Sequence, residues 1–458
     1  MPVPVIVGVG DVVNRSRKVE DAVEPLELIL QAVAKAFADT GLSSSAALTA
    51  QFELDSLDVV RTWTWPYPDL PALISERLRA KPARQHYTDH GGNQPAYLLD
   101  EAARRISKGE SKLAIITGGE ALASSAKHLP PPNWTPLAEE VTSVFSPTTR
   151  ELKPGALPGS WKPSRTETDS TDIGSLHGIG NPIHIYPLYE NAYRARNGQS
   201  LQENHRQSAE MYAQFAKVAE GNEYAWNHGR AGESAERIGT VGRTNRMICF
   251  PYPLLMNAFN TVNLAAACII TSTDYARELG IGEEKWVYPL GGAGTQDSAE
   301  CSLETPELLA IAEMTRQLRA GKGRNGLILA NGGVVTYQHV VVLSREARKL
   351  GVPYPDHAPL PKFVTDVQVP AIVESAEGSA TIETYTVEFG RAGEPARAFI
   401  VGRLKSNGQR FIANHADQET MATLSSFEGL EPIGRSGLVS TSADGRNLFG
   451  FGAGKGKL

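Results

Sequence analysis

Apolar residues follow two alternating rhythms over the first 120 positions, and each rhythm predicts a kind of element. Short aliphatic runs with little polar interruption occupy residues 4–9, 56–61 and 112–117, the signature of strands covered on both faces. Between them, residues 24–40, 71–79 and 94–108 carry apolar positions at i, i+3 and i+4. In the last of these Leu98, Leu99, Ala102, Ala103 and Ile106 make one helical face. Strands alternating with helices predict an α/β fold, a mainly parallel sheet under helices. Gly118-Gly119-Glu120 then predicts a sharp exit from the third strand.

The rhythm breaks between residues 128 and 243. Pro, Ser, Thr, Asn and charged residues dominate there, with Pro130-Pro131-Pro132 near the start. Only residues 187–197 and 202–220 read as helices, the second with Met211, Phe215 and Val218 along one side. This predicts a cap insertion of the kind that lies over a site mouth. The small apolar run at 263–273 restores the rhythm, followed by a helix over 273–279, strands over 286–290, 326–329 and 340–343, and a helix over 306–320. Beyond residue 356, alternating segments at 382–389 and 398–404 are joined by Gly-rich turns, with one short helix at 417–423. They predict a separate β-rich C-terminal domain. The expected divisions are 1–127, 128–243, 244–350 and 356–458.

Composition narrows the class. With 458 residues, 41% hydrophobic and 21% charged, the chain is globular rather than disordered, collagenous or a disulfide scaffold. Lys and Arg number 45 against 51 acidic residues, a net charge of −6. No global field therefore favours nucleic acid, and an anionic ligand must be held by local groups. The apolar N-terminal stretch is cut by Gly8, Gly10 and Asp11 without a basic lead, so neither a signal peptide nor a membrane span is expected. Cys249, Cys268 and Cys301 form no CxxC pair and no His pair has metal-ligand spacing. A reducing intracellular compartment and no metal are expected. The final Gly456-Lys457-Leu458 is one residue from the Ser-Lys-Leu address, leaving peroxisome beside cytoplasm.

Candidate chemistry centres on Asp89-His90-Gly91-Gly92-Asn93-Gln94-Pro95. Two glycines precede a polar pair and a Pro at the start of the 94–108 helix. The free N–H groups of such a helix end stabilise a thiolate, an oxyanion or a phosphate; the structural alternative is that Asn93 or Gln94 caps the helix. His90 is a candidate base beside this turn. A second candidate turn is Asn331-Gly332-Gly333, with His339 in the strand that follows.

The order of strand, Gly-rich turn, helix, strand and Gly118-Gly119-Glu120-Ala121, with Asn245-Arg246-Met247, the 251–267 run and Asn331-Gly332-Gly333, resembles the thiolase superfamily. It is similar to the sterol-carrier-protein thiolase branch with an additional C-terminal domain. The resemblance implies a layered thiolase-like fold, a homodimer, and acyl-CoA-handling acyltransferase chemistry with a CoA thioester as substrate and no permanently bound cofactor. In that scheme one Cys accepts the acyl group and a second, in a Cys-x-Gly loop, moves a proton at the α-carbon. The matching positions are Asn93 and Asn331, so amides replace both thiols. Gly91, Gly92, Gly332 and Gly333 are expected to line the thioester, with His339 and His90 as bases and Asn331 as an oxyanion donor. Lys127, Arg194 and Arg196 are available for the CoA phosphates, and His184 to meet substrate; Asn257 reads as structural. The alternative function is a non-catalytic acyl-CoA-binding or scaffold protein that kept the pocket and lost its nucleophile. The second half also reads short by one strand–helix layer, which predicts unpaired edges and open apolar surface.

Overall fold

The computed structural model describes residues 1–16, 18–62, 65, 67–125, 173–180, 182–258, 262–296, 308–349, 352–364 and 371–452. Cys301, Lys127 and the C-terminal Gly456-Lys457-Leu458 lie outside these residues. Contacts divide the chain into two units, Met1–Ser164 with Asn260–Asp366, and Arg165–Phe259 with Val367–Leu458.

The chain opens with β1 (Pro4–Val13), α1 (Pro25–Asp39), α2 (Ser44–Phe52), β2 (Ser56–Val59), α3 (Leu70–Leu78), β3 (Arg84–Tyr87), α4 (Gln94–Lys108), β4 (Leu113–Ala121) and α5 (Leu122–Ser125). The middle of the chain adds α6 (Ile173–His177), α7 (Pro182–Arg196), α8 (Leu201–Gly221), α9 (Ala235–Gly239), β5 (Met247–Cys249) and β6 (Tyr252–Pro253). Then come β7 (Asn263–Ser272), α10 (Thr273–Leu279), β8 (Tyr288–Gln296), α11 (Leu308–Arg319), β9 (Asn325–Gly332) and β10 (Tyr337–Ser344). The C-terminal part holds β11 (Gly378–Phe389), β12 (Pro395–Leu404), β13 (Arg410–His415), α12 (Gln418–Leu424), β14 (Ser436–Thr441) and β15 (Asn447–Gly450).

In the first unit a five-stranded sheet has the order β1-β7-β4-β2-β3. β2 pairs in parallel with β3 and β4, while β7 runs antiparallel to both β1 and β4. Four of the five strands therefore run the same way, and β7 alone runs against them: it reaches the sheet after the long middle segment and enters from the opposite end. Gly118 and Gly119 do not end β4, which runs on to Ala121. A Cβ on Gly119 would lie 2.7 Å from Ala265 Cβ, so that glycine admits close pairing with β7. The helix α1 starts at Pro25 and buries Leu26, Leu28, Ile29, Ala32, Val33 and Ala36 on the outer face of this sheet. Gly8 and Gly10 let it approach; a Cβ on either would lie within 2.3 Å of a carbonyl of α1.

A second sheet, β8-β10-β9, is wholly antiparallel. Between the two sheets lie α4 and α11, and the predicted face Leu98, Leu99, Ala102, Ala103 and Ile106 is fully buried there against Ile6, Ile116, Ile270, Ile328 and Val341. The series β8, α11, β9, β10 repeats β1, α4, β4, β7. Among the described residues it has no counterpart of α1, β2, α3 and β3.

The second unit carries the sheet β12-β13-β15-β14-β11-β5-β6, which an additional β11–β12 pairing closes. β13 and β15 pair in parallel, with α12 between β13 and β14. Five strands closed in this order form an OB-type barrel, around Tyr385, Phe411, Val439 and Phe449. The helices expected in a cap insertion pack on this barrel: Asn191 Nδ2 of α7 donates to Tyr385 O at 2.8 Å, and Thr384 Oγ1 donates to Leu188 O at 2.6 Å. Among the described residues no helix is long and apolar enough to cross a membrane.

Candidate functional site

The N-terminus of α4 and the turn between β9 and β10 come together. Gln94 N–H donates to Gly91 O at 3.1 Å, Tyr97 N–H donates to Asn93 O at 3.1 Å, and Pro95 fixes the first turn. Asn93 is 8% exposed and already helical, and its side chain makes no capping bond. The first-turn N–H groups thus have no amide oxygen of Asn93 over them. Gly332 closes on this end: a Cβ there would lie 2.7 Å from Asn93 Oδ1 and 3.0 Å from Gly92 N. Only a residue without a side chain lets the two backbones meet at this distance. Gly91 gives way to the same amide, since its Cβ would lie 2.6 Å from Asn93 Oδ1. Gly333, at φ 63°, turns the chain out of β9, and Asn331 pairs with Gln338 across the hairpin. Asn93, Gly91, Gly92 and Gly332 are thus gathered from positions some 240 residues apart.

His90 precedes this turn at 8% exposure, and neither ring nitrogen has a hydrogen-bond partner. Burial pushes its pKa down to about 4, helped by the positive charge of Arg61 and opposed by Asp89. The ring is therefore a neutral imidazole at neutral pH.

His339 is held elsewhere. On β10 it faces Ala330 and Gly294, and its Nε2 lies 2.9 Å from Asp100 Oδ2 of α4. Asp100 is fully buried. Its Oδ1 accepts Tyr354 O–H at 2.6 Å, and its Oδ2 accepts Arg104 Nη2 at 2.6 Å. Arg104 also donates to Pro355 O and pairs with Glu101, and the Tyr97 ring stands edge-on to His339 at 5.7 Å. Gly292 and Gly294 make room: a Cβ on them would lie 2.4 Å from the Asp100 carboxyl carbon and 2.2 Å from His339 Nδ1. Asp100 follows Asn93 by seven helical residues, about 10 Å along the axis, so His339 braces the flank of α4 rather than its tip. Sequence reasoning missed Asp100, Arg104 and Tyr354. Their signal was an acid–base pair at i, i+4 inside an apolar helical face, opposite the glycine run of β8.

Neither described cysteine is among the residues gathered at this helix end. Cys249 Sγ lies 3.1 Å from Thr386 Oγ1 in the second unit, and Cys268 is at the centre of β7. Burial pushes both thiols up to about 12, the reverse of an activated nucleophile. Of the other candidates, Arg194 is buried on Glu431 and Asn191, so its donors are used within the second unit. The His184 ring packs at a tilt on Phe399, 4.5 Å between centroids, and lies 3.7 Å from Glu388. Asn257 Nδ2 donates to Pro253 O at 2.8 Å, a structural bond. Among the described residues no group of three or more His, Cys, Asp or Glu is placed to hold a metal ion.

Residues 359–445 match the family described as the thiolase-like protein type 1 additional C-terminal domain. A monomeric SCP2-thiolase like protein type 1 from Mycobacterium smegmatis is similar over 98% of this chain and 99% of its own, with 25% identity and a TM-score of 0.73. The Ltp2-ChsH2(DUF35) aldolase is similar over 76% of this chain and 99% of its own, with 14% identity and a TM-score of 0.50; this shows the fold alone. No curated protein matches the chain in sequence. The chain is thereby thiolase-like in fold, and its residues 359–445 match the additional C-terminal domain of thiolase-like proteins of type 1.

Proposed function

We propose that the chain binds an acyl-CoA thioester at the N-terminus of α4 and handles it without forming an acyl-enzyme on cysteine. The observation that carries this reading is the contact of Gly332 with Asn93 and Gly92. It joins the two loops of the thiolase resemblance around a helix end whose N–H groups favour negative charge on a thioester oxygen. With Asn93 and Asn331 in place of thiols, the site supplies dipoles and hydrogen-bond donors but, among the described residues, no sulfur nucleophile. Acyl transfer through a thioester intermediate needs a thiolate, and burial keeps Cys249 and Cys268 protonated. His90, held neutral beside the turn, is the base available to a noncovalent proton transfer. The free Cys249 and Cys268 support action in a reducing compartment. We take the chain to act as a monomer, the state named for the M. smegmatis protein, in place of the homodimer that the resemblance implies.

Calorimetric titration with acetyl-CoA, followed by intact-protein mass spectrometry of the same sample, tests this. Binding without a mass increase is expected, and Asn93→Ala weakens it by about tenfold through loss of one polar contact. An acyl-sized adduct on any cysteine would overturn the noncovalent reading, and absence of binding would overturn the thioester site itself.

A further inference from the structure

We propose that the cleft at the opposite end of the second sheet binds a phosphate-bearing anion. Ser344 pairs with Asn325 there, while Tyr337 pairs with Gly332 at the end that meets α4. Seven residues of strand separate the two ends, about 23 Å. The cleft has a volume of about 330 Å³ and is lined by Arg324, Asn325, Ser344, Glu346, Arg348 and Lys349 among others, a size at the lower end for small-molecule sites.

Its charge runs against that of the chain. The whole molecule carries −6, yet the lining holds three cations and one carboxylate. Glu346 is paired with Arg324, which leaves Arg348 and Lys349 without a carboxylate partner among the described residues. Lys322 and Arg345, also unpaired there, add two more cations to the same stretch of chain. Such a concentration repels itself unless an anion joins it.

Arg348 gives the site its direction. One end of its guanidinium donates to Leu290 O of β8, which fixes the group against the sheet, and its Nε is buried with no hydrogen-bond partner. A buried N–H without an acceptor is costly, and an oxyanion arriving from the cleft satisfies it. Ser344 Oγ accepts Glu346 N–H at 3.0 Å, holding the loop that presents Arg348 and Lys349. A planar guanidinium beside an ammonium, with the Asn325 amide at the rim, suits tetrahedral phosphate oxygens better than a single carboxylate. This site is independent of the thioester reading, because it shares no residue with the α4 end.

A free phosphorylated metabolite and the diphosphate of CoA share this chemistry, and separate titrations distinguish them. Inorganic pyrophosphate is expected to bind the full chain saturably, with an affinity that falls as salt rises. Lys349→Gln, at an exposed position, weakens that binding severalfold, and Arg348→Gln with Lys349→Gln by about tenfold or more. If CoA competes with pyrophosphate and Lys349→Gln weakens both, the anion is the nucleotide end of CoA; if CoA binds without displacing pyrophosphate, it is a separate metabolite. Pyrophosphate binding unchanged in Lys349→Gln and in Arg324→Gln, or matched by chloride at equal ionic strength, overturns the proposal. Because Arg348 also holds β8, the single Lys349 variant remains decisive should the double variant fail to fold.

Discussion

His90 carries a pH signature that can be measured. Its pKa in the folded chain is about 4, while an unfolded histidine titrates near 6.5. Between those values the unfolded state binds a proton that the folded state does not, so stability is complete above about pH 6.5 and is lost as pH falls towards 4. The loss due to His90 is about 2 kcal/mol between about pH 7.5 and about pH 5. Burial also lowers the pKa of His177 and His415, so the wild-type slope contains their shares. The difference between wild type and His90→Gln in urea unfolding at the two pH values isolates the residue; equal slopes would show that His90 is not held neutral. The sequence placed His90 and Asn93 beside a helix end, but not that both are buried there, that the imidazole has no hydrogen-bond partner, or that Gly332 approaches Asn93. His339 shows the limit from the other side. Nothing local signals that its partner lies 239 residues earlier, on α4.

At the scale of elements, the two sheets of the first unit follow one plan with unequal covering. The outer face of β1, β7 and β4 is sealed by α1. In the second sheet Leu327 and Leu329 of β9 are 62% and 56% exposed, opposite the half-buried Val342 and Val340 of β10. This is the open apolar surface expected of a shortened second half, and it appears because no described helix of this unit takes the place of α1 there. The two positions should therefore respond differently to charge. Leu329→Lys shifts stability by no more than about 0.5 kcal/mol, whereas Ile115→Lys, fully buried under α1 on β4, costs about 3–5 kcal/mol by burying an unpaired ammonium. Urea unfolding of both variants checks the contrast, and a large cost at Leu329 would show that the face is covered. The helical periods of α4 and α11 were readable because each has one continuous apolar stripe. The antiparallel pairing of β7 was not, since strand direction is set by connection and not by the pattern within a strand.

For the whole molecule, the similarity to the M. smegmatis protein runs over 98% of this chain and 99% of that one. Light scattering on the eluted protein should give a mass near 49.4 kDa; twice that value would restore the dimer. The OB-type barrel draws its strands from residues 378–450 and adds β5 and β6 from the middle of the chain. The alternating pattern beyond residue 356 announced β structure, but not that the barrel recruits α7 or closes through a β11–β12 pairing. By itself the sequence determined the α/β class, the helix face of α4 and the β-rich C-terminal part. Each is a property of residue type at fixed local spacing. Only the tertiary structure decided that Gly332 meets Asn93, that His339 belongs to Asp100 and that Arg348 faces a cleft. Those contacts join segments far apart in the chain, and their partners are chosen by packing rather than by spacing.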